Sequence, residues 1–291
     1  MTKNYLKFWG TRGSCSVSGD EYKEFGGNTP CLEVVYEKKR VIFDAGTGIR
    51  PLGAHLAHGK ETEFDLFLSH THWDHLIGLP FFDPLHHAGN QVNLWLPEEN
   101  GRSGHEVIGS LLASEFFPVH LDEIQADVRF HTIHVQTPVK RGPIEIDFHR
   151  TNHPGMTVGF KIRLGTQTIG YITDNELLQG YHGNLSDVTE KMFEPYQHLI
   201  AFLKGCDLVI HEAQYTSEEY HKRVGWGHSS FLNALAFIKR TGAPRWIVTH
   251  HDPRHGDRKL DEMEQEARRV IEENGIACQV EWARDGFVLE L

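Results

Sequence analysis

The stretch His70-Thr71-His72-Trp73-Asp74-His75 is the part of this chain that says most about its fold and its function. It brings three imidazoles and one carboxylate into six residues, and crowded neutral imidazoles leave ring nitrogens unsatisfied unless a cation binds them. The stretch follows the mostly apolar segment 65–68, which is typical of a short buried strand. Because side chains alternate along an extended chain, His70 and His72 point the same way. The stretch therefore predicts a metal site at a strand end. If a helix begins near Leu76, the side chains of Asp74 and His75 can turn toward the same site.

Composition and charge narrow the class of protein. Of the 291 residues, 39% are hydrophobic, which is enough for a sizeable core. No apolar run approaches the roughly 20 residues of a membrane span, and residues 1–7 lack the apolar region of a secretory signal. The four cysteines have no paired spacing, which favours reduced thiols in a cytoplasmic protein without a membrane partner. The formal charge of −11 weighs against a nucleic-acid polymer as partner.

Hydrophobic periodicity predicts strands that alternate with helices along the chain. Strands are predicted at 32–36, 41–44, 65–69, 92–96, 128–135, 144–150, 158–164, 168–173, 207–211, 246–249, 278–282 and 287–289, and the last two are expected to pair. Helices are predicted at 48–58, 104–116, 188–204, 229–240 and 260–274. Ser229 or Ser230 is expected to cap the fourth helix. This order predicts an α/β fold of two β-rich layers flanked by helices, in a single domain over residues 1–291.

Three other strand ends carry residues that bind metals. His153, Asp174 and the pair His250-His251 each follow a predicted strand, where loops gather polar groups. Two-metal hydrolytic sites hold their ions about 3.5–4 Å apart, bridged by a carboxylate and a hydroxide. The chain meets that requirement if Asp174 is shared by two sets of ligands. The sets are His70, His72 and His153 for one ion, and Asp74, His75 and His250 for the other.

These motifs resemble those of the metallo-β-lactamase-fold hydrolases, in the phosphodiesterase branch that includes ribonuclease Z and cyclic-phosphate phosphodiesterases. The matching segments are residues 69–75, His153, Asp174 and Thr249-His250, together with the glycine-rich segments 9–14, 26–29 and 43–48. The resemblance implies a four-layer αββα sandwich that holds two divalent metal ions at one edge between its sheets. It also favours His250 over His251 as the last ligand. Imidazole-rich, carboxylate-bridged sites suit Zn²⁺, and Mn²⁺, Fe²⁺ and Ni²⁺ stay open.

Two further segments are similar to the proton-transfer motifs of that branch. Residues 211–213 (His-Glu-Ala) resemble the start of the His-Glu-Ala-Thr motif of ribonuclease Z, with Gln214 in place of Thr. Residues 227–230 (Gly-His-Ser-Ser) are similar to the segment that carries the family's catalytic histidine at a helix start. The backbone N–H groups of Ser229 and Ser230 are suited to a phosphate. The match implies that the chain cleaves phosphodiesters.

The expected catalytic residues are His228, Glu212 and Asp74. A hydroxide that bridges the two metal ions is expected to attack phosphorus in line, with Asp74 among the metal ligands. Because the departing alkoxide is a poor leaving group, a general acid accelerates this step by about 10²–10⁴-fold. We expect His228 to donate that proton and Glu212 to fix its tautomer and keep it protonated.

The substrate is expected to be a small phosphodiester, with a cyclic nucleotide as the first candidate. Only twenty residues separate His153 from Asp174, so the tRNA-clamping arm that ribonuclease Z commonly carries there is absent. A ribonuclease Z-like RNA endonuclease is one alternative within enzymes, and hydrolysis of a thioester or lactam, against which the Glu212–His228 pair counts, is another. A catalytically inactive metal-containing binding or sensor module is the alternative from another class. Phe81, Phe82 and His86-His87 are candidates to contact a base, or else pack in the core or a lid. The resemblance also implies a homodimer.

Overall fold

The strands supply most of the framework in this computed structural model, which describes residues 4–291. The expectation that the chain has no secretory signal rests on residues 1–7, of which residues 1–3 lie outside the described residues. In chain order, the strands are β1 (Tyr5–Gly10), β2 (Cys31–Tyr36), β3 (Lys39–Phe43), β4 (Glu63–Phe67), β5 (Gln91–Pro97), β6 (Asp127–Ile133), β7 (Val139–Arg141), β8 (Ile144–Arg150), β9 (Val158–Leu164), β10 (Gln167–Ile172), β11 (Leu208–Glu212), β12 (Arg245–Thr249), β13 (Gln279–Trp282) and β14 (Val288–Glu290).

Within residues 4–291 these strands form two seven-stranded mixed sheets. The first sheet has the order β14-β1-β2-β3-β4-β5-β6, and the second has the order β13-β12-β11-β10-β9-β8-β7. From β3 to β6, and from β10 to β13, neighbouring strands are parallel. Parallel strands are covered on both faces, which explains why β11 is buried along its whole length and β4 after its first residue.

Helices cover the outer face of each sheet. The α-helices are α1 (Ile49–Leu56), α2 (Trp73–Leu76), α3 (Gly104–Leu111), α4 (Gln197–Leu203), α5 (Ser217–Tyr220), α6 (Phe231–Thr241) and α7 (Asp257–Glu273). Short 3-10 helices lie at Asp20–Tyr22, Leu79–Phe81, Asp83–His86, Leu121–Glu123, Leu185–Asp187 and Glu190–Tyr196. None of the helices described between residues 4 and 291 combines the length and apolar character that a bilayer span requires.

Three apolar layers hold the sandwich together. The middle layer is shared by the facing sides of the two sheets, where the rings of Phe43 and Phe160 lie 4.9 Å apart. One outer layer packs the first sheet against α1, α2 and α3, and the other packs the second sheet against α4, α6 and α7. The predicted αββα architecture is therefore confirmed. The shared middle layer supports our proposal that residues 1–291 form one domain.

The predicted pairing of the last two strands is wrong. Strand β13 pairs with β12 at the edge of the second sheet, whereas β14 pairs with β1 at the edge of the first sheet. The chain crosses between the sheets at residues 283–287, where Gly286 adopts a φ of 85°. Alternation identifies a strand and its buried face, but it does not identify the partner strand. Strands β1 and β7 were not predicted, and both lie at or next to sheet edges.

Two predicted helices also differ from the structure. The segment predicted as one helix at 188–204 is a 3-10 helix at Glu190–Tyr196 followed by α4, because Pro195 has no N–H to donate within an α-helix. The helix predicted at 104–116 ends at Leu111. Ser230 caps α6, since its Oγ accepts a hydrogen bond of 3.2 Å from the N–H of Asn233.

A buried histidine in β11 predicts how stability changes with pH. Burial lowers the pKa of His211 to about 4, whereas an unfolded histidine titrates near about 6.5. The unfolded chain therefore binds the extra proton first, so this group's stabilisation is complete above about pH 6.5 and is lost as the pH falls toward about 4. For metal-free protein, we expect His211 to account for a loss of about 2 kcal/mol in the free energy of unfolding between pH 7 and pH 5.

Urea unfolding of metal-free wild type and His211→Gln at both pH values measures this contribution. The glutamine amide can replace the ring's hydrogen bonds to the Glu212 carbonyl and the Asn175 amide without titrating. The variant should therefore lose less stability on acidification than the wild type does. An equal loss in both proteins would contradict the assignment.

Candidate dinuclear metal centre

The predicted ligands lie at one edge of the sandwich, where strands from both sheets end. The motif at 70–75 follows β4 of the first sheet and runs into α2. His153, Asp174 and His250 follow β8, β10 and β12 of the second sheet. Strand ends at one edge of stacked sheets bring side chains that are distant in sequence to one point. The seven residues form two groups there, which share Asp174.

The first group consists of His70, His72, His153 and Asp174. Asp174 Oδ2 lies 3.6 Å from the Nε2 atoms of both His70 and His153. His153 Nε2 lies 3.0 Å from Nδ1 of His72. Three imidazole nitrogens and one carboxylate oxygen therefore converge, and burial lowers the pKa of His70, which favours the neutral ring that binds metals.

The second group consists of Asp74, His75, His250 and Asp174. The other oxygen of Asp174, Oδ1, lies 3.1 Å from His75 Nε2 and 3.3 Å from His250 Nε2. Asp74 Oδ2 lies 3.4 Å and 3.1 Å from the same two nitrogens. Asp174 thus presents one oxygen to each group, which is the arrangement of a bridging carboxylate.

The donor atoms of the second group fit a cation. Nδ1 of His75 faces the Asp44 carboxylate and Nδ1 of His250 faces the Gln214 carbonyl, so each ring carries its proton there. Both Nε2 atoms then present lone pairs to each other at 3.2 Å. Although burial lowers it, Asp174 and Asp74 raise the pKa of His75 well above its ordinary value. The group therefore favours a positive charge among its atoms.

Two unpartnered buried atoms, one facing each group, lead to the same conclusion. Among residues 4–291, His70 Nε2 and Asp174 Oδ1 are buried and make no hydrogen bond. Buried polar atoms are otherwise almost always satisfied, so such atoms in a cluster need an explanation. The residues present fit two divalent metal ions, one in each group.

Several residues orient the candidate histidine ligands by accepting a hydrogen bond from the ring nitrogen that does not face the metal site. His153 Nδ1 donates to the Gly227 carbonyl at 2.8 Å, and His70 Nδ1 donates to Ser69 Oγ at 3.0 Å. Ser69 donates in turn to Asp44, which also accepts a hydrogen bond from Tyr171. Such partners fix the tautomer that leaves the other nitrogen free for metal. The Asp44 position matches the segment 43–48 that the resemblance singled out.

The structure separates the two candidates for the last ligand position. His250 lies in the second group with a φ of 59°. The side chain of His251 turns away, and its Nε2 donates to the Ala283 carbonyl at 2.8 Å. This geometry supports His250 as the ligand, in agreement with the resemblance.

His228 and Glu212 lie next to the two groups. His228 Nδ1 is 3.6 Å from Glu212 Oε1 and 4.0 Å from Asp174 Oδ2, and it makes no hydrogen bond within the described part of the chain. Burial lowers the pKa of His228 to about 4 and raises that of Glu212 well above its ordinary value. The Glu212 oxygens accept hydrogen bonds from the backbone N–H groups of Asn175, Gln214 and Ser229. The assignment of Glu212 as the group that keeps His228 protonated remains a prediction.

The expectation that Ser229 offers its N–H to a phosphate is wrong. This N–H donates to Glu212 Oε1 at 2.8 Å, and the N–H of Phe231, two residues further along, donates to the Tyr215 carbonyl at 2.9 Å. Ser230 is buried and its hydroxyl caps α6. The motif positions the loop that carries His228, and the Ser229 N–H is used inside the protein.

Sequence reasoning missed Gln214 and Ser14 as contributors to the site. Gln214 Oε1 lies 3.0 Å from His250 Nδ1, and its Nε2 donates to Ser14 Oγ at 3.3 Å. The N–H of Ser14 donates to Asp74 Oδ2 at 2.7 Å. The signal was present in the sequence as the glutamine that replaces the motif's threonine. These contacts join the glycine-rich N-terminal segment to the second group.

Gln214→Leu should weaken metal binding in the second group by about 10–100-fold, because His250 loses the partner that fixes its tautomer. Gln214→Glu keeps an acceptor for His250 Nδ1 and should retain most of the affinity. The measurement is metal content per chain after dialysis against graded concentrations of chelator. Leucine and glutamate variants that lose metal at the same chelator concentration would contradict this role.

Known proteins resemble the chain along most of its length. Residues 39–251 match the family model described as the beta-lactamase superfamily domain. Ribonuclease Z of Gemmatimonas aurantiaca is 25% identical over 290 residues, which cover 89% of this chain and 89% of the relative.

Solved structures show the same fold. The metallo-beta-lactamase fold protein YhfI of Bacillus subtilis gives a TM-score of 0.70 at 18% identity, covering 99% of this chain and 100% of YhfI. A diphosphatase of the PhnP family gives 0.67 at 19% identity, covering 99% and 98%. With the family model spanning most of the sequence, this chain belongs to the beta-lactamase superfamily domain family, as a metallo-β-lactamase-fold hydrolase related to ribonuclease Z.

Proposed function

We propose that the chain hydrolyses a small phosphodiester, and that a cyclic nucleotide is its substrate. The observation that carries this proposal is His228 beside Asp174, the residue shared by both groups. The ring of His228 lies 5.0 Å, centroid to centroid, from the rings of His153 and His250. A proton donor next to a two-metal site suits a reaction whose leaving group needs a proton, as an alkoxide from ribose does.

The two ions, when bound, supply the positive charge that stabilises phosphoryl oxygens and activates water. We propose Zn²⁺ for both, because imidazole nitrogens dominate the donor set. The seven residues of the two groups, Asp74 among them, would hold the ions, while His228 lies outside both groups. A bound phosphodiester is an anion, which raises the pKa of His228 toward the range that a general acid needs. Glu212 supports this histidine by holding the backbone at Ser229, the residue that follows it.

An RNA endonuclease activity is the second candidate. The curated relative from Gemmatimonas aurantiaca is named ribonuclease Z, so a net charge of −11 does not remove RNA from consideration. The β9–β10 hairpin makes up most of the chain between His153 and Asp174, and this supports a small substrate over a clamped tRNA. Dimerisation and a cytoplasmic location stay predictions.

A substrate panel separates the candidates. Metal-replete protein is incubated with 2′,3′- and 3′,5′-cyclic nucleotides, bis-p-nitrophenyl phosphate, a tRNA precursor, a thioester and a lactam. The proposal expects cyclic nucleotides to be hydrolysed with the highest kcat/KM. If the protein cleaves the tRNA precursor but not the cyclic nucleotides, the second candidate, an RNA endonuclease, is supported instead. If it hydrolyses only the thioester or the lactam, both candidates are wrong.

Metal removal is the matched control. Chelator treatment should abolish turnover, and Zn²⁺ should restore more of it than Mn²⁺, Fe²⁺ or Ni²⁺. Turnover that survives complete metal removal would disprove the metal-dependent mechanism.

A further inference from the structure

An apolar groove is lined in part by Thr71 and Trp73, which flank the candidate ligand His72 in the chain. Its walls include Trp73, Ile77, Phe81, Phe116 and Phe117, and its volume is about 660 Å³. This volume falls within the range of about 300–1,000 Å³ that is common for small-molecule sites. The rings of Phe81 and Phe117 meet edge to face at 5.5 Å. We call this cavity the aromatic groove.

Two segments of the chain link the lining of the aromatic groove to the metal centre. Thr71 and Trp73, which line the groove, are the chain neighbours of the ligand His72. Glu99, which also lines the groove, accepts a hydrogen bond of 2.7 Å from the N–H of Met156 in the loop of the ligand His153. The groove lining is therefore one residue from one candidate ligand along the chain and is hydrogen-bonded to the loop that carries another.

Several large aromatic side chains around the groove are exposed to solvent. Trp73 is 66% exposed, Phe81 is 51% exposed and Phe116 is 73% exposed. Single exposed apolar residues are common, but several around one cavity mark a binding surface. Flat rings favour a flat aromatic ligand, because stacking suits the faces of both partners.

Polar groups at the rim of the groove argue against a phosphate inside it. Glu99 and Glu115 bring carboxylates to the lining. Arg102 is tied back across α3, where its Nη2 donates to the Glu106 carbonyl at 2.8 Å and to Ser110 Oγ at 2.6 Å. A neutral heteroaromatic ring with amino groups fits this environment, since carboxylates accept hydrogen bonds.

We propose that the aromatic groove binds the nucleobase of the substrate, while the phosphodiester lies at the two metal-binding groups. This inference rests on the proposed phosphodiesterase function and assigns its specificity to Trp73, Phe81 and Phe116. A concave groove of this volume suits a small ligand better than a second copy of the chain, whose interface needs about 800 Å² on each partner.

The structure also shows which of the base contacts suggested by the sequence line the groove and which do not. Phe81 lines the groove, whereas Phe82 is buried in the outer layer of the first sheet. His86 is held by a hydrogen bond of 2.8 Å to the Pro80 carbonyl. Phe116 was not among the predicted contacts, because it lies in the segment after α3 that was predicted to be helical.

Calorimetric titration of zinc-loaded protein with adenosine 5′-monophosphate and with ribose 5-phosphate tests the inference, because ribose 5-phosphate carries a hydroxyl at C1′ where the nucleotide carries its base. The wild type should bind the nucleotide at least about fivefold more tightly, because stacking one base on an aromatic ring strengthens binding by at least that factor. Phe81→Ala and Phe116→Ala should each reduce this ratio several-fold, and the double variant should bring it close to one. Trp226→Ala is the matched control, since Trp226 is 60% exposed but lies outside the groove lining, and it should keep the ratio.

Each other outcome overturns the inference. Equal affinity for both ligands in the wild type removes the base site, and turnover of cyclic nucleotides in the panel would then show that the phosphodiesterase function stands without it. If the panel shows no phosphodiesterase turnover, the inference fails together with the function on which it rests. If gel filtration shows that Phe81→Ala and Phe116→Ala convert a dimer to a monomer while the nucleotide ratio is unchanged, the groove is an interface between two copies of the chain.

Discussion

Asp174→Ala should abolish the dinuclear centre and lower kcat/KM for any phosphodiester by at least about 10³-fold. The reason is that Asp174 gives one oxygen to each group, at 3.1–3.3 Å from two nitrogens and 3.6 Å from two others. No other residue in the two groups belongs to both. The measurement is metal content per chain by elemental analysis, together with turnover of bis-p-nitrophenyl phosphate.

The matched control for this prediction is Asp207→Ala. Asp207 is also an aspartate of the second sheet, but it precedes β11, and its carboxylate accepts a hydrogen bond from the Thr168 N–H at the start of β10. It lies at the opposite end of the sheet from Asp174, because β10 and β11 are parallel. The control should keep both metals. An Asp174→Ala protein that retains two ions and wild-type turnover would disprove the bridging role.

His228→Ala should separate substrates by their leaving groups. We expect hydrolysis of a ribose ester to fall by about 10²–10⁴-fold, because the alkoxide then departs without a proton. Bis-p-nitrophenyl phosphate should lose less than about tenfold, because nitrophenolate is a stable anion that needs no general acid. Steady-state kinetics on both substrates, with metal content checked in each preparation, measures this difference.

His221→Ala provides the comparison on a nearby segment. His221 is exposed and its ring stacks on His182 at 3.5 Å, away from both metal-binding groups. It should leave the ratio of the two activities as in the wild type. Equal losses on both substrates in His228→Ala would mean that His228 binds phosphate or positions a ligand, and does not act as the acid.

Much of the site could be predicted from the sequence because metal ligation has strict chemical requirements. Few residue types bind divalent ions, and strand ends are where such residues gather, so His153, Asp174 and His250 could be picked out after the motif at 70–75. The alternation that predicts strands also located most of the sheet elements to within two residues. The alternation carried no information on which strands pair, and it misassigned β13 and β14.

Other features depend on contacts between residues that are far apart in the chain. Gln214 meets His250 across 36 positions, and Ser14 meets Asp74 across 60 positions. The backbone N–H of Ser229 donates a hydrogen bond to the Glu212 carboxylate, and no local sequence pattern indicates this contact. The aromatic groove joins residues after β4 to residues after α3. Such contacts follow from how the sheets and helices pack, so a single sequence does not display them.

The sequence by itself determined the candidate ligands, their spacing and the class of layered fold, because donor atoms and hydrophobic periodicity are properties of the residues. Only the tertiary structure decided how Asp174 divides its two oxygens between the groups, which ring nitrogen of each histidine faces the site, and which aromatic side chains line one groove. These features depend on distances of a few ångströms between distant segments, and the packing of the two sheets determines those distances.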